Sequence, residues 1–247
     1  MSEPNIPAFS AHTADLCSRS GATLALYARR GASAHVIDVT FGERGESEDY
    51  WRRPGPKSIE EAKRVRAAET EDAARIIGVP IESLDYGDYP LVLGRERLEA
   101  MARLIPSREP DIILTHWKCD PFDVDHQVTS DGVLSATDMA AIPGFDHEIG
   151  KGAYLYSYVF EPTVPRNDAA GFCPDHYVEI DEVSDLKMSA LAVFWSQFKL
   201  AGFCTKWTQY RGFQAAQTAG RPIRHAGACQ RYTAAVDTRL PSPVAMA

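Results

Sequence analysis

A histidine and an aspartate lie three residues apart in the segment 10–15 (SAHTAD), directly after a short apolar run. A turn that leaves a strand can direct side chains with this spacing toward one point. Imidazole nitrogen and carboxylate oxygen are ligands that suit zinc. Taken alone, an H-x-x-D pattern is more often an ordinary polar turn, so His12 and Asp15 become metal ligands only together with a further ligand.

The pair Asp125-His126 is the natural source of that further ligand. Three protein ligands would leave the open coordination position that a catalytic zinc keeps. Asp123 or Asp125 could orient His126 through a hydrogen bond. Aspartates here also fit the start of a helix, where they cap the first turn and favour its dipole, and both interpretations can hold together.

The segment 42–47 (GERGES) places two glycines, two glutamates and an arginine within six residues. Glycines permit tight backbone turns close to a ligand. A glutamate held near a metal-polarised substrate is a candidate general base, which points to Glu43 and Glu46. For either glutamate alone, an ordinary charged loop is the competing interpretation.

Arginines can clamp carboxylate groups through two parallel hydrogen bonds. Arg19, Arg44 and Arg211 are candidates for this role, although arginine is usually a surface residue. Cys119 and Cys204 carry no cue for nucleophilic catalysis and are assigned to packing.

The elements that must position these residues alternate between strand-like and helix-like segments. Strands are predicted over 6–11, 34–41, 81–87, 111–116, 153–160 and 176–180, and helices over 19–30, 58–77, 94–105, 126–141, 182–200 and 205–218. Ser58 and Glu61 have the spacing of a capping box at the start of the second helix. The alternation predicts an α/β fold whose parallel sheet has helices on both faces.

Titratable residues follow the first four predicted strands. They are His12 and Asp15 after the first, the segment 42–47 after the second, 87–90 after the third, and His116, Asp120, Asp123, Asp125 and His126 after the fourth. Ligands bind open parallel sheets beyond the carboxyl ends of the strands. The sequence therefore predicts one site at that edge of the sheet.

Composition limits the classes of function. The chain has 247 residues and a formal net charge of −8, which argues against non-specific nucleic-acid binding but allows a small anionic substrate. The five cysteines are dispersed and contain no C-x-x-C pair, and no run approaches the length of a membrane span. The segment 1–9 lacks the features of a signal peptide, so a cytoplasmic protein without membrane partners is expected.

The motifs resemble the PIG-L (LmbE-like) superfamily of zinc-dependent, Rossmann-like enzymes, most of which deacetylate N-acetyl sugars. The match comprises Ala11-His12 with Asp15, the helix start from Gly21, and Asp125-His126, and it covers most of the chain. The resemblance implies a mostly parallel sheet in a single domain over 1–247 with a helical C-terminal region at about 182–220. It also implies one zinc ion per chain, held by His12, Asp15 and His126, and a homo-oligomer.

Two positions depart from the deacetylase pattern. Ala14 stands where the deacetylases have their general base, and Leu16 replaces the glutamate that follows in the family signature. A deacetylase without its base should be nearly inactive, so either the chain is inactive or its chemistry differs.

One branch of the superfamily, the 4-oxalomesaconate (4-carboxy-2-hydroxymuconate) hydratases of gallate and protocatechuate catabolism, shares this change. Further similarities to that branch are Arg19 and the segments 40–47 (TFGERGES), 87–90 (GDYP), 120–126 (DPFDVDH), 160–162 (FEP) and 210–215 (YRGFQA). The resemblance implies a metal-dependent hydro-lyase that adds water to a double bond conjugated to a keto acid.

Roles in such a reaction follow from the same resemblance. Glu46 is the first choice for proton transfer, with Glu43 second and Asp125 as a further candidate. Arg19 and Arg44, with Arg211 as a possible addition, would neutralise substrate carboxylates.

Two alternatives to the hydratase stay open. One is a deacetylase or amide hydrolase that uses another base, such as Glu46 or Asp123. The other is a metal-binding domain without catalytic activity, which the clustering of acids and arginines at one edge disfavours.

Overall fold

The computed structural model describes residues 3–145, 156–160, 162–163, 170–197 and 200–233. The strands in these ranges are β1 (Asn5–Ser10), β2 (Ser33–Asp38), β3 (Ile81–Ser83), β4 (Ile112–His116), β5 (Tyr156–Phe160), β6 (His176–Glu179) and β7 (Ala226–Arg231). The α-helices are α1 (Gly21–Arg29), α2 (Glu48–Arg52), α3 (Ile59–Ile77), α4 (Arg95–Ser107), α5 (Val124–Ala140), α6 (Ser184–Ala192) and α7 (Leu200–Ala219). None of the described helices combines the length and the apolar character needed to cross a membrane.

The described strands form one sheet in the order β3-β2-β1-β4-β5-β7-β6. The first five strands of this order run parallel, and β7 is antiparallel to both of its neighbours. The predicted α/β class with a mostly parallel sheet is therefore confirmed. The mixed edge at β7 and β6 is an addition to that prediction.

Helices cover both faces of the sheet, and alternate residues of the strands pack into two separate hydrophobic cores. On one face, Ile6 and Ala8 of β1 pack with residues of α1, α3 and α6. On the other, Phe9 of β1 packs with residues of α4 and α5. Because side chains alternate along a strand, β1 and its neighbours are buried from both sides, as expected of a parallel sheet.

Local sequence sets the ends of α3. The Ser58 hydroxyl accepts the Glu61 N–H at 3.1 Å, which confirms the predicted N-terminal cap. The helix stops at Gly78, whose φ of 75° is the left-handed conformation that glycine adopts without steric cost.

The structure shifts several predicted boundaries, and two of these shifts have a cause in the local contacts or backbone conformation. The third strand was expected to reach residue 87 but ends at Ser83, because the positive φ angles of Asp85 and Gly87 break the extended conformation. The helix predicted over 182–200 ends at Ala192. Its continuation is interrupted because the N–H of Ser196 donates to a Glu69 carboxylate oxygen at 2.8 Å.

Two further elements were not predicted. Neither α2 nor β7 has a counterpart among the predicted helices and strands. The sequence of β7 (AGACQR) has little strand propensity, so its conformation depends on pairing with β5 and β6. For the predicted strand 153–160, residues 153–155 lie outside the described residues.

Candidate metal and substrate site

The predicted metal ligands converge at the carboxyl ends of β1 and β4. His12 and Asp15 lie in the turn after β1, which continues into a π-helical turn at Leu16–Ser20. His126 lies in the first turn of α5, which follows the loop after β4. All three side chains are buried, with at most 3% of each residue exposed.

Two imidazole nitrogens face one carboxylate oxygen. The Oδ2 atom of Asp15 lies 3.1 Å from Nε2 of His126 and 3.5 Å from Nδ1 of His12. Both nitrogens are buried and have no hydrogen-bond partner among the described residues. Leaving such atoms without a partner is costly, whereas a divalent metal would satisfy both. The donor set therefore fits a metal ion.

The opposite nitrogen of each histidine contacts a second carboxylate. Nδ1 of His126 lies 2.8 Å from Asp120, and Nε2 of His12 lies 3.4 Å from Asp125. Such pairing fixes the orientation of metal-binding imidazoles and raises their basicity. Sequence reasoning proposed Asp123 or Asp125 as the partner of His126, but the structure assigns Asp120 to His126 and Asp125 to His12.

Asp125 is tied to the protein on both oxygens. It accepts the N–H groups of Tyr89 and Leu91, each at 2.9 Å, in addition to its contact with His12. Its carboxylate is completely buried. These contacts favour a positioning role for Asp125 over the proton-transfer role predicted from the sequence.

Asp123 caps α5 and also reaches the metal ligands. One of its oxygens accepts the N–H groups of Asp125 and His126, at 2.9 and 3.2 Å. The other lies 3.5 Å from Nε2 of His126 and 3.9 Å from Nδ1 of His12. Asp123 is thus within reach of a metal held by the two histidines, which sequence reasoning did not predict.

The charges of this cluster shift several pKa values. Burial disfavours a charge on His126, but the Asp15 carboxylate and the hydrogen bond to Asp120 outweigh it and raise the pKa of His126 to about 10. Burial likewise opposes ionisation of Asp120, yet its bonds to His126 and Thr163 hold its pKa well below the ordinary value. The carboxylates of this cluster therefore favour the charged form of His126 in the metal-free protein.

His116 at the end of β4 is a further buried member of this cluster. Its ring stacks on His126 with centroids 4.0 Å apart, and its Nε2 lies 3.5 Å from Asp15. That nitrogen already accepts the N–H of Ala11 at 2.9 Å. Burial and the neighbouring His126 lower the pKa of His116 well below its ordinary value, so it packs the site as a neutral ring.

The two glutamates of the segment 42–47 have different surroundings. The Glu46 side chain lines the cavity beside the metal ligands, with Oε1 3.7 Å from Nδ1 of His12. Burial raises the pKa of the Glu46 carboxyl, although His12 opposes the shift. Glu43 instead faces Lys63, at 3.7 Å, and is not part of the cavity lining. Glu46 therefore lies beside the predicted metal ligands and Glu43 does not, and the catalytic role of Glu46 stays a prediction.

Arg66 is a residue of this site that sequence reasoning missed. It is fully buried, and its Nη2 lies 3.7 Å from Oε2 of Glu46. The guanidinium donates to the Phe41 carbonyl at 2.9 Å and to the Ser196 hydroxyl at 3.3 Å. The helical spacing of the sequence could have predicted that Arg66 is buried, because it lies one helical turn after Ala62 on the buried face of α3.

The three predicted carboxylate-binding arginines are separated in the structure. Arg19 lines the cavity and donates to the Pro162 carbonyl and the Thr163 hydroxyl, at 3.2 and 2.9 Å. The Arg44 side chain is exposed and outside the lining. Arg211 is buried in α7, where it donates to Gln214, and it is also outside the lining. Only Arg19 is brought to the cavity.

The cavity has a volume of about 230 Å³, which suits a small substrate. Asp15, Arg19, Glu46 and Asp123 belong to its wall on the side of the metal ligands. Helices α6 and α7 contribute further lining residues, among them Lys187 and Trp207. The arrangement joins a metal-binding cluster, a buried carboxyl group and an arginine in one small space.

Sequence comparisons identify relatives of two activities. A family model described as PIG-L, GlcNAc-PI de-N-acetylase, matches residues 8–137. A 4-oxalmesaconate hydratase from Pseudomonas putida is 32% identical over 211 residues, which cover 85% of this chain and 81% of that protein. A diacetylchitobiose deacetylase from Thermococcus kodakarensis is 24% identical over 76% of this chain and 67% of its own length.

Among solved structures too, the hydratase is more similar to this chain than the deacetylase is. GalB, the 4-carboxy-2-hydroxymuconate hydratase from Pseudomonas putida, matches with a TM-score of 0.89 and 31% identity, covering 96% of this chain and all of that one. The N,N'-diacetylchitobiose deacetylase from Pyrococcus horikoshii matches with a TM-score of 0.76 over 92% of this chain and 83% of that one. At 19% identity, the second likeness concerns the fold alone.

Proposed function

This chain belongs to the PIG-L family, and from its similarity to a hydratase of that family we propose that it is a zinc-dependent hydratase. Its substrate is an unsaturated keto or enol polycarboxylate of the 4-oxalomesaconate or 4-carboxy-2-hydroxymuconate type, formed by aromatic ring cleavage in gallate or protocatechuate catabolism. The observation that carries the proposal is the 32% identity to the Pseudomonas putida hydratase over 85% of this chain.

One zinc ion per chain would be held by His12, Asp15 and His126. The support is the pair of unpartnered imidazole nitrogens that face the Asp15 carboxylate. When bound, zinc supplies Lewis-acid stabilisation of the negative charge that develops on the keto or enol oxygen of the substrate. Asp120 and Asp125 orient the two histidines by contacting the ring nitrogens that face away from the metal position.

Glu46 transfers the proton of the added water. As the water oxygen bonds to one alkene carbon, its proton moves to the Glu46 carboxylate, which then delivers a proton to the other alkene carbon. The raised pKa of Glu46 suits it to accept and release a proton. Arg66 holds the second carboxylate oxygen and so keeps Glu46 directed at the cavity.

Arg19 binds a carboxylate of the substrate. Its guanidinium is fixed by Pro162 and Thr163, and its Nε lies 3.8 Å from Asp15. A fixed guanidinium loses little freedom on binding an anion, which favours affinity.

Amide hydrolysis has less support. The deacetylase relatives are the more distant ones in both sequence and structure. Ala14, at the position of the deacetylase base, is a buried residue with no group to accept a proton. Cytoplasmic location and homo-oligomeric assembly stay predictions, which cell fractionation and light scattering test.

The test is a spectrophotometric assay of the purified, metal-quantified protein with 4-carboxy-2-hydroxymuconate. We expect loss of the conjugated absorbance, abolished by chelation and restored by zinc. A parallel assay measures acetate release from N-acetylglucosamine-containing substrates. Absence of hydration by protein that holds one zinc per chain would contradict the proposal, and acetate release would replace it with deacetylation.

A further inference from the structure

A lysine forms part of the cavity wall on the side of α6. Lys187 is only 3% exposed, yet it lines the same cavity as Arg19 and Glu46. Its Nζ donates to the Ser18 carbonyl at 2.9 Å. Lysine is rarely buried to this degree, since removing an ammonium group from water is costly, so its presence in a binding cavity calls for an explanation.

Two cationic side chains line this cavity, and one of them is bonded to the residue that precedes the other. Ser18 directly precedes Arg19 in the π-helical turn Leu16–Ser20. Lys187 is therefore tied to the same short turn that carries the guanidinium. The two cations come from elements far apart in sequence, so this arrangement is a product of the tertiary fold rather than of a local basic run.

The two cations differ in how they can bind an anion. Arg19 is a planar fork whose nitrogens already contact Pro162 and Thr163. Lys187 offers a compact point charge on a flexible stem, which can follow a carboxylate whose position differs between ligands. Displacement of water from a small cavity strengthens the attraction between such a charge and a carboxylate.

We infer that Lys187 is a substrate-binding residue that makes the cavity selective for tricarboxylates. In the proposed function, a metal held by His12, Asp15 and His126 takes the keto or enol oxygen and Arg19 takes one carboxylate, so Lys187 is available to bind a further carboxylate of the same molecule. The inference rests on the proposed function for the identity of the natural substrate, but the selectivity can be measured without turnover.

A purely structural lysine would behave differently. If Lys187 served only to stabilise the fold through its protein partners, the Ser18 carbonyl among them, its loss would lower thermal stability and would weaken both ligands to a similar extent. A loss of affinity that is many times larger for the ligand with one more carboxylate indicates that this carboxylate lies beside the lysine, because a distant charge would weaken the two ligands by more similar factors. The comparison of two ligands therefore separates the two roles.

The experiment is calorimetric titration of the zinc-loaded protein with tricarballylate and with glutarate, which has the same chain but lacks the middle carboxylate. Wild-type protein should bind tricarballylate more tightly. Lys187→Met should weaken tricarballylate about tenfold to a hundredfold and glutarate less than about threefold. Lys187→Arg keeps the charge and should restore most of the preference.

Lys206→Met is the matched control, because Lys206 is exposed on the neighbouring helix α7 and is not part of the cavity lining. An unchanged preference for tricarballylate in a folded Lys187→Met protein, or equal weakening of both ligands, would overturn the inference. The wild-type hydration assay is run on the same preparation. Its failure would reject the proposed function, while the ligand comparison would still decide the role of Lys187.

Discussion

The Nη2 atom of Arg66 lies 3.7 Å from Oε2 of Glu46, whose other oxygen lies 3.7 Å from Nδ1 of His12. Glu46 is thus placed between a buried guanidinium and the imidazole of a proposed metal ligand. The guanidinium is itself anchored, because Phe41 and Ser196 accept its hydrogen bonds. The position of Glu46, the proposed proton-transfer group, therefore depends on Arg66, a buried residue of α3.

Replacing Arg66 tests this dependence. In Arg66→Lys the charge remains but the fork that spans Glu46, Phe41 and Ser196 is lost. We expect kcat to fall about tenfold to a hundredfold, since small misplacement of a reacting group is costly, while KM and zinc content change little. Steady-state kinetics and metal analysis provide the measurement.

The matched control is Arg64→Lys, at an exposed arginine of the same helix that pairs with Glu61. It should retain wild-type kcat. If Arg66→Lys is folded and zinc-loaded but equally active, Arg66 does not position Glu46.

Replacement of the two glutamates of the segment 42–47 should have very different effects on kcat. Glu46→Gln removes the proton-transfer group and should lower kcat about 10²- to 10⁴-fold with zinc still bound. Glu43→Gln changes a carboxyl group that faces Lys63 outside the cavity, so near-normal kcat is expected. Near-normal turnover by Glu46→Gln would reject the assignment.

Asp120 should control the affinity for zinc without touching the metal. Asp120→Asn keeps the shape but weakens the 2.8 Å contact with Nδ1 of His126, so zinc affinity should fall about 10- to 100-fold. Competition with a chelating dye measures the change. Asp131→Asn, at an exposed position of α5, is the control and should leave the affinity unaltered. Equal affinities in the two variants would contradict the role of Asp120.

Zinc affinity should rise with pH. In the metal-free protein, the carboxylates around His126 raise its pKa to about 10, so near neutrality Nε2 carries a proton that zinc must displace. Each proton released makes the apparent affinity increase about tenfold per pH unit below that pKa. Competition titrations between about pH 6.5 and 8.5 measure the slope, and a flat or falling affinity would contradict the prediction.

The sequence predicted the sheet and most of the helices because their signals are local. Capping at Ser58, the turn at Gly78 and the continuous apolar run of β4 are encoded within a few residues each. Strand β7 was missed because its small residues carry no such signal and its pairing partners are distant in the chain. The early end of α6 likewise depends on a contact between Ser196 and Glu69, which lie in separate elements.

The same distinction between local signals and tertiary contacts applies to the site. His12, Asp15 and His126 follow strand ends, and the topology alone brings such residues together. The contributions of Arg66 and Lys187 depend on how α3 and α6 pack against the sheet, which residue type and spacing do not reveal. Arg44 was assigned to the site wrongly because its loop is fixed through the backbone: the Arg44 N–H donates to Asp88, while the Arg44 side chain faces solvent.

A glycine in this loop provides a last prediction. Gly42 has a φ of +72°, and a Cβ added there would lie 3.2 Å from Cβ of His12 and 3.1 Å from Cβ of Glu46. Gly42→Ala should therefore strain the backbone by about 1 kcal/mol and also push apart the metal ligand and the proposed base, so that both zinc affinity and kcat fall. Metal titration, kinetics and thermal unfolding together measure the effect.

A second glycine, Gly55, separates the effect of backbone strain from the effect of close packing against the site. It also has a positive φ, +107°, but no described atom lies within 4 Å of an added Cβ. Gly55→Ala should lower the midpoint of thermal unfolding through backbone strain alone and leave zinc affinity and kcat unchanged. If the two variants lose zinc affinity and activity equally, close packing of Gly42 against His12 and Glu46 is not what shapes the site.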